Sequence, residues 1–160
     1  MPGAETPQAR LDAFWEATKD VDAAYGMLAK SCGLSEPEYW ALVLIRQGVA
    51  TQREISEQLY LSRQTINSAF KLLVRKGLVR LEVLESDQRS KRAVLTEAGE
   101  RFVRQTIVPA EELDLQSWQT LTAEEQRTLI RLTAQLGARS GGWDAAAAFF
   151  GGMLVIALID

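Results

Sequence analysis

The stretch TQREISEQLYLSRQTINSAFKLLVRKG, residues 51–77, decides the fold. Thr51-Gln52-Arg53-Glu54 is a capping box: a hydroxyl at the cap and a carboxylate three residues on can each satisfy a free backbone N–H. Ile55 and Leu59 supply the apolar side of the short helix that follows. Tyr60-Leu61 leads directly to Ser62, a second cap, and the next helix runs from Arg63 to Lys76 and stops at Gly77. Two capped helices separated by so short a turn predict a helix-turn-helix. At about 100° per residue, Gln64, Asn67, Ser68, Lys71 and Arg75 fall within about 60° of Gln64, and Ile66, Ala69, Phe70 and Leu73 fall opposite. The apolar side docks. The outer side offers amides, a hydroxyl and cations, the groups that read base edges and grip phosphates in a major groove. An ordinary solvated face is the plain alternative for this helix taken alone.

Working outward, Leu78–Leu84 alternates, with Val79, Leu81 and Val83 on one side and Arg80 and Glu82 on the other. Residues 85–90 are polar and turn-like, and Lys91–Leu95 forms the return strand of a hairpin. Thr96 caps a further helix with Glu97 and Glu100 in its first turn, which Pro109 should kink or break. Thr122-Ala123-Glu124-Glu125 opens a last helix ending near Gly137. On the N-terminal side, Ser35-Glu36-Pro37-Glu38 caps a helix carrying Tyr39, Leu42, Val43 and Arg46 and closed by Gly48. Before it, Leu11, Phe14, Thr18, Val21, Tyr25 and Leu28 recur at three and four within a helix from Leu11 to about Lys30. That stripe packs on its own core or forms a seam with a second subunit. The expected class is mainly α with a small β-hairpin wing (α+β).

Composition narrows the function. The 160 residues are 47% hydrophobic and 24% charged, enough to bury a core. One Cys and no His exclude an internal disulfide, a Cys/His zinc site and any imidazole-based catalytic engine. No acid/base pair, metal cluster or phosphate-binding glycine loop stands out, so neither an enzyme nor a cofactor is expected. Met1–Arg10 is polar and lacks the apolar stretch of a signal peptide. Ala145–Ile159 is uncharged and mostly apolar, but a helix of that length spans about 22 Å against the roughly 30 Å of a bilayer core. The expectation is a cytoplasmic protein without membrane attachment. Gly141-Gly142 is a hinge candidate before that tail, which could complete a dimer core.

Net charge is −3, with 18 Lys and Arg against 21 Asp and Glu. Yet Ser62–Arg92 holds eight cations (Arg63, Lys71, Arg75, Lys76, Arg80, Arg89, Lys91, Arg92) against Glu82, Glu85 and Asp87. This window carries +5 and the remainder −8, a local footprint suited to DNA phosphates. Asp87 and Arg89, two residues apart in a tight turn, can pair, which would hold the guanidinium in one rotamer.

Residues from about Leu34 to Val103 resemble the multiple-antibiotic-resistance regulator (MarR) family of winged helix-turn-helix transcription factors. The matching pieces are Glu54-Ile55-Ser56-Glu57-Gln58-Leu59, Leu61-Ser62-Arg63-Gln64-Thr65-Ile66-Asn67, Arg75-Lys76-Gly77-Leu78-Val79, Ser86-Asp87-Gln88-Arg89-Ser90-Lys91-Arg92 and Leu95-Thr96-Glu97-Ala98-Gly99. The resemblance implies a homodimeric regulator, a repressor, on a pseudo-palindromic double-stranded DNA operator. It implies dimerisation through residues 1–33 and 104–140, a DNA-binding domain at 34–103, and leaves 141–160 as an added tail. The reading helix would act through Ser62, Arg63, Gln64, Thr65, Asn67, Ser68, Lys71 and Arg75. In the wing, Arg89 would enter a minor groove with Asp87 as its brace, and Lys91 and Arg92 face opposite ways, so that one of them meets phosphate. Relatives respond to small aromatic or phenolic effectors, for which Trp15 and Trp40 are candidates. Two alternatives stay open: a protein-binding winged helix, and thiol sensing through Cys32.

Overall fold

The computed structural model describes residues 6–49, 51–84 and 87–139, of which 84, 87–90 and 139 are described by their backbone. Among the described residues, six helices and one hairpin follow in order: α1 (Pro7–Ser31), α2 (Glu36–Arg46), α3 (Gln52–Gln58), α4 (Arg63–Arg75), β1 (Val79–Leu84), β2 (Asp87–Leu95), α5 (Glu97–Trp118) and α6 (Ala123–Arg139). The tail 141–160 and its glycine hinge lie outside the described residues.

Caps set most boundaries. The Glu38 carboxylate accepts from Ser35 N at 2.8 Å, and that of Glu54 accepts from Thr51 N at 3.1 Å. Ser62 Oγ accepts from Thr65 N at 3.0 Å and starts α4. Gly77 (φ 72°) ends it: the left-handed backbone lets Leu78 N reach back to Leu73 O at 3.0 Å. Between α3 and α4 the chain turns through Tyr60 at φ 51°, a conformation that L side chains rarely adopt.

The core sits where α2, α3 and α4 meet. Ala41, Leu42, Leu44, Ile55, Ile66 and Leu73 are fully enclosed, with Tyr39, Trp40 and Phe70 beside them. Val79 and Ala93 close it at the wing root. Farther out, Leu81 and Val83 are exposed, so β1 leaves the core after Val79, whereas β2 is still covered at Ala93. β1 and β2 are antiparallel, with Val79 opposite Leu95 and Glu82 opposite Arg92. A bridge from Thr51 to Arg92 joins the wing to the cap of α3.

Three expectations need correction. α1 begins at Pro7, four residues before Leu11, because Thr6 caps it by accepting from Ala9 N. β2 begins at Asp87, not Lys91, and the register shifts between Val83 and Leu84. Polar side chains do not prevent ladder pairing in a wing that stands in solvent. Pro109 does not break its helix: α5 runs through it. Pro109 and Gln105, whose carbonyl loses its helical donor, are both exposed, so water can replace the missing N–H. α6 is described as far as Arg139.

The long helices are only partly covered. In α1, Thr18, Gly26 and Ala29 are buried, while Leu11, Val21 and Met27 are open. In α5, Val103, Ile107 and Ala110 are buried, but Leu113 and Leu115 are exposed. α6 carries Leu129, Ile130, Leu132 and Leu136 half exposed. None of its described residues is buried.

At the start of α5, a Cβ added to Gly99 would stand 1.9 Å from Leu78 O. Gly99→Ala should therefore destabilise the fold by about 1–3 kcal/mol or more, lowering Tm by several degrees in thermal unfolding. An unchanged Tm would show that α5 does not sit this close to the wing root.

Candidate nucleic-acid interface

α4 forms as an amphipathic helix and its burial follows the wheel. Ile66, Ala69, Phe70 and Leu73 are buried, and Arg63, Gln64, Asn67, Ser68, Lys71 and Arg75 are exposed on the far side. Thr65 is half-buried. Three of the expected site hydroxyls have local work. Ser62 caps the helix and lies 2.8 Å from Thr65 Oγ1, and Ser68 Oγ donates to Gln64 O at 3.0 Å. The long polar side chains left on this face are Gln64 and Asn67, with Arg63, Lys71 and Arg75 as cations. Gln52 Nε2 donates to Arg63 O at 2.9 Å and locks α3 to the first turn of α4. A hollow of about 380 Å³, lined by Ser35, Pro37, Ser62, Gln64, Ser68 and Leu72, runs beside this face.

The far end of α4 is anchored by a contact that sequence reading missed. Lys76 Nζ donates to Glu38 Oε1 at 2.7 Å and to Gly33 O at 2.8 Å, tying the end of α4 to the start of α2. The Glu38 side chain is only 3% exposed. Burial pushes its carboxyl up, but the hydrogen bonds from Lys76 and Ser35 outweigh that and hold it below the usual carboxylate value. In the sequence Glu38 is visible only as a capping residue.

The wing root is a second cluster. Glu82 Oε1 accepts from Arg80 Nε at 3.1 Å and Nη2 at 2.8 Å. Glu82 Oε2 accepts from Arg92 Nε at 3.1 Å and Nη2 at 2.9 Å. Arg92, then Arg80, hold the carboxyl below its ordinary range. Three of the eight cations in the basic window, Lys76, Arg80 and Arg92, are thus already paired. Arg63, Lys71, Arg75 and Lys91 have no ion pair among the described residues. The side chains of Asp87 and Arg89, and their pairing, lie outside the described residues. Lys91 and Arg92 face opposite ways from the strand alternation, and it is Arg92 that is engaged within the chain.

The aromatic candidates separate. Trp40 is buried, its ring 5.3 Å from Tyr25 and 5.2 Å from Tyr39, and belongs to the core. Trp15 is half-buried beside Phe14. Burial, then the charge of Asp114 on α5, pushes the Tyr25 phenol up to about 12. Cys32, beyond the end of α1, is half-buried, with Ser31 Oγ 3.9 Å away. Among the described residues no group of His, Cys, Asp or Glu is placed to hold a metal, and no helix is long and apolar enough to cross a membrane.

Comparison with known proteins gives concordant results. Residues 33–90 match the MarR family. The organic hydroperoxide resistance transcriptional regulator of Bacillus subtilis is 29% identical over 87 residues, 54% of this chain. The chain spans 59% of that relative's length. Among solved structures, AbsC, a MarR family transcriptional regulator from Streptomyces coelicolor, superposes with TM-score 0.74 at 20% identity, covering 89% of this chain and 99% of that one. The S. aureus MepR–DNA complex superposes with TM-score 0.65 at 20% identity, covering 78% and 97%. Both share the fold: mostly helical, with a two-stranded wing.

The Glu38–Lys76 pair gives a pH-dependent expectation. A carboxyl whose folded value is depressed stabilises the fold above its unfolded value, and that stability is lost as pH falls through the folded value. Lys76→Met should cost about 1–3 kcal/mol at neutral pH, by leaving a buried carboxylate short of a donor. Urea unfolding should show the deficit shrinking below the carboxylate range. A deficit independent of pH would assign the loss to packing instead.

Proposed function

We propose that the chain, whose residues 33–90 match the MarR family, is a member of that family: a dimeric, sequence-specific DNA-binding regulator that represses by occupying its operator. One observation carries this reading: α4 buries Ile66, Phe70 and Leu73 and presents Gln64, Asn67, Lys71 and Arg75 outward on one face. Amides can make paired hydrogen bonds to adenine in a major groove, and cations can neutralise the flanking phosphates. Asn67 and Gln64 are the reading residues in this proposal, with Arg63, Lys71 and Arg75 as phosphate contacts. The wing contributes Lys91 to phosphate and Arg89, with Asp87, to a minor groove.

Dimerisation is proposed through α1, α5 and α6. Their open Leu11, Val21, Leu113, Leu115, Leu129 and Leu136 form more exposed apolar surface than an isolated chain would retain. A two-fold assembly would place one α4 and one wing on each half of a pseudo-palindromic site. Control by a small ligand belongs to the same proposal. Tyr25, Tyr39 and Trp40 form an aromatic layer between α1 and α2 that a planar effector would have to wedge apart. The proposed place of work is the cytoplasm.

Selection from a randomised duplex pool tests the reading. Enrichment of a two-fold-related sequence is expected, and no enrichment would favour a protein-binding winged helix. On the enriched duplex, Lys71→Ala and Arg75→Ala should each flatten the slope of log K against log salt by about 0.9. Arg89→Ala should weaken binding while leaving Tm and the sedimenting mass unchanged. An unaltered slope or affinity removes the corresponding residue from the interface.

A further inference from the structure

We propose that Glu82 withholds Arg80 and Arg92 from DNA phosphates, and so limits the sequence-independent part of binding by the wing. The inference rests on the DNA-binding reading above and assigns a role to a residue outside it.

The register brings the three side chains together. Glu82 stands opposite Arg92, and Arg80 lies two residues earlier on the same strand face. Each guanidinium turns its Nε/Nη2 edge to a separate carboxylate oxygen, at 2.8–3.1 Å. That edge is one with which arginine grips a phosphate through two parallel hydrogen bonds. Arg80 is engaged further, its Nη1 donating to Leu95 O at 3.3 Å. A phosphate at the wing root would therefore have to displace the carboxylate from one arginine or the other. Both arginines are about half exposed, at 56% and 52%, and Glu82 is 32% exposed. The cluster thus lies within reach of an approaching duplex. The backbone bridge from Arg92 to Thr51 fixes it beside the cap of α3, on the helix-turn-helix.

Charge sets the consequence. Unspecific affinity grows with every phosphate neutralised, because each releases condensed counterions. Two arginines free at the wing root would add to binding on any sequence. One shared carboxylate reduces the cluster from +2 to +1 and occupies the matching edges of both. Binding then depends more on α4, which carries the amides.

Glu82→Gln tests this, since it removes the charge and keeps the shape. On a short mixed-sequence duplex, its slope of log K against log salt should steepen by about 0.9–1.8, one to two added phosphate contacts. Affinity for that duplex should rise more than affinity for the sequence enriched from the random pool. Glu82→Gln should also elute from immobilised heparin at higher salt than the parent. Adding Arg80→Ala and Arg92→Ala should abolish these gains, with Tm showing that each variant is folded. An unchanged slope and unchanged heparin elution overturn the proposal. A loss of affinity on both duplexes overturns it too, because it would make Glu82 a brace the arginines need. If the parent selects no sequence while Glu82→Gln still elutes later from heparin, the operator-binding reading fails and the hold of Glu82 on the two cations stands.

Discussion

The docking of one face of α4 governs the rest of the molecule. Ile66, Phe70 and Leu73 are enclosed against α2 and α3, and burying three such side chains contributes about 1.5–3 kcal/mol each. That burial fixes the rotation of the helix about its axis. Once the apolar face is inside, Gln64, Asn67, Lys71 and Arg75 have only one direction left. The outward face is a consequence of core packing, and the surface proposed to meet DNA inherits its rigidity from the core.

Polar contacts refine that placement at both ends of α4. Gln52 holds its first turn to α3, and Lys76 ties its last residues to Glu38 and Gly33. At the wing, Glu82 joins β1 to β2 through Arg92 and also holds Arg80 on its own strand, and the Thr51–Arg92 bridge joins the wing to the helix-turn-helix. Helix and wing are thus parts of one frame rather than independent contacts. Some local cations build this frame, so the +5 counted over residues 62–92 overstates the charge free to meet phosphate.

The helices outside this frame behave differently. α1 and α5 bury residues where they cross the core and leave Leu11, Val21, Leu113 and Leu115 open, while α6 remains half exposed along its apolar side. A stripe spaced at three and four does not say what covers it. The Leu11–Leu28 stripe is covered over only part of its length. Thr18 is buried and Tyr25 and Leu28 are half-buried, whereas Leu11 and Val21 keep the open surface that the dimer proposal uses.

Local chemistry made much of this legible in the chain itself. Caps at Ser35, Thr51, Ser62 and Thr96, and stops at Gly48 and Gly77, depend on hydrogen bonds within a few residues, so order and helix boundaries followed from spacing. The burial pattern of α4 followed from its period. Long-range pairing and register depend on distant partners. A hairpin drawn with its turn over 85–90 sets Leu84 opposite Lys91, one residue off, and conceals that Glu82 faces Arg92. The Lys76–Glu38 pair spans 38 positions, and no local pattern announces it. Pro109 does not break α5, because the cost of a missing N–H depends on whether its abandoned carbonyl meets water, which only the packed helix decides. Sequence alone determined which faces are apolar and where helices start, since those are short-range properties. Tertiary structure decided which charges are already engaged, because an ion pair exists only once two remote segments have been packed together.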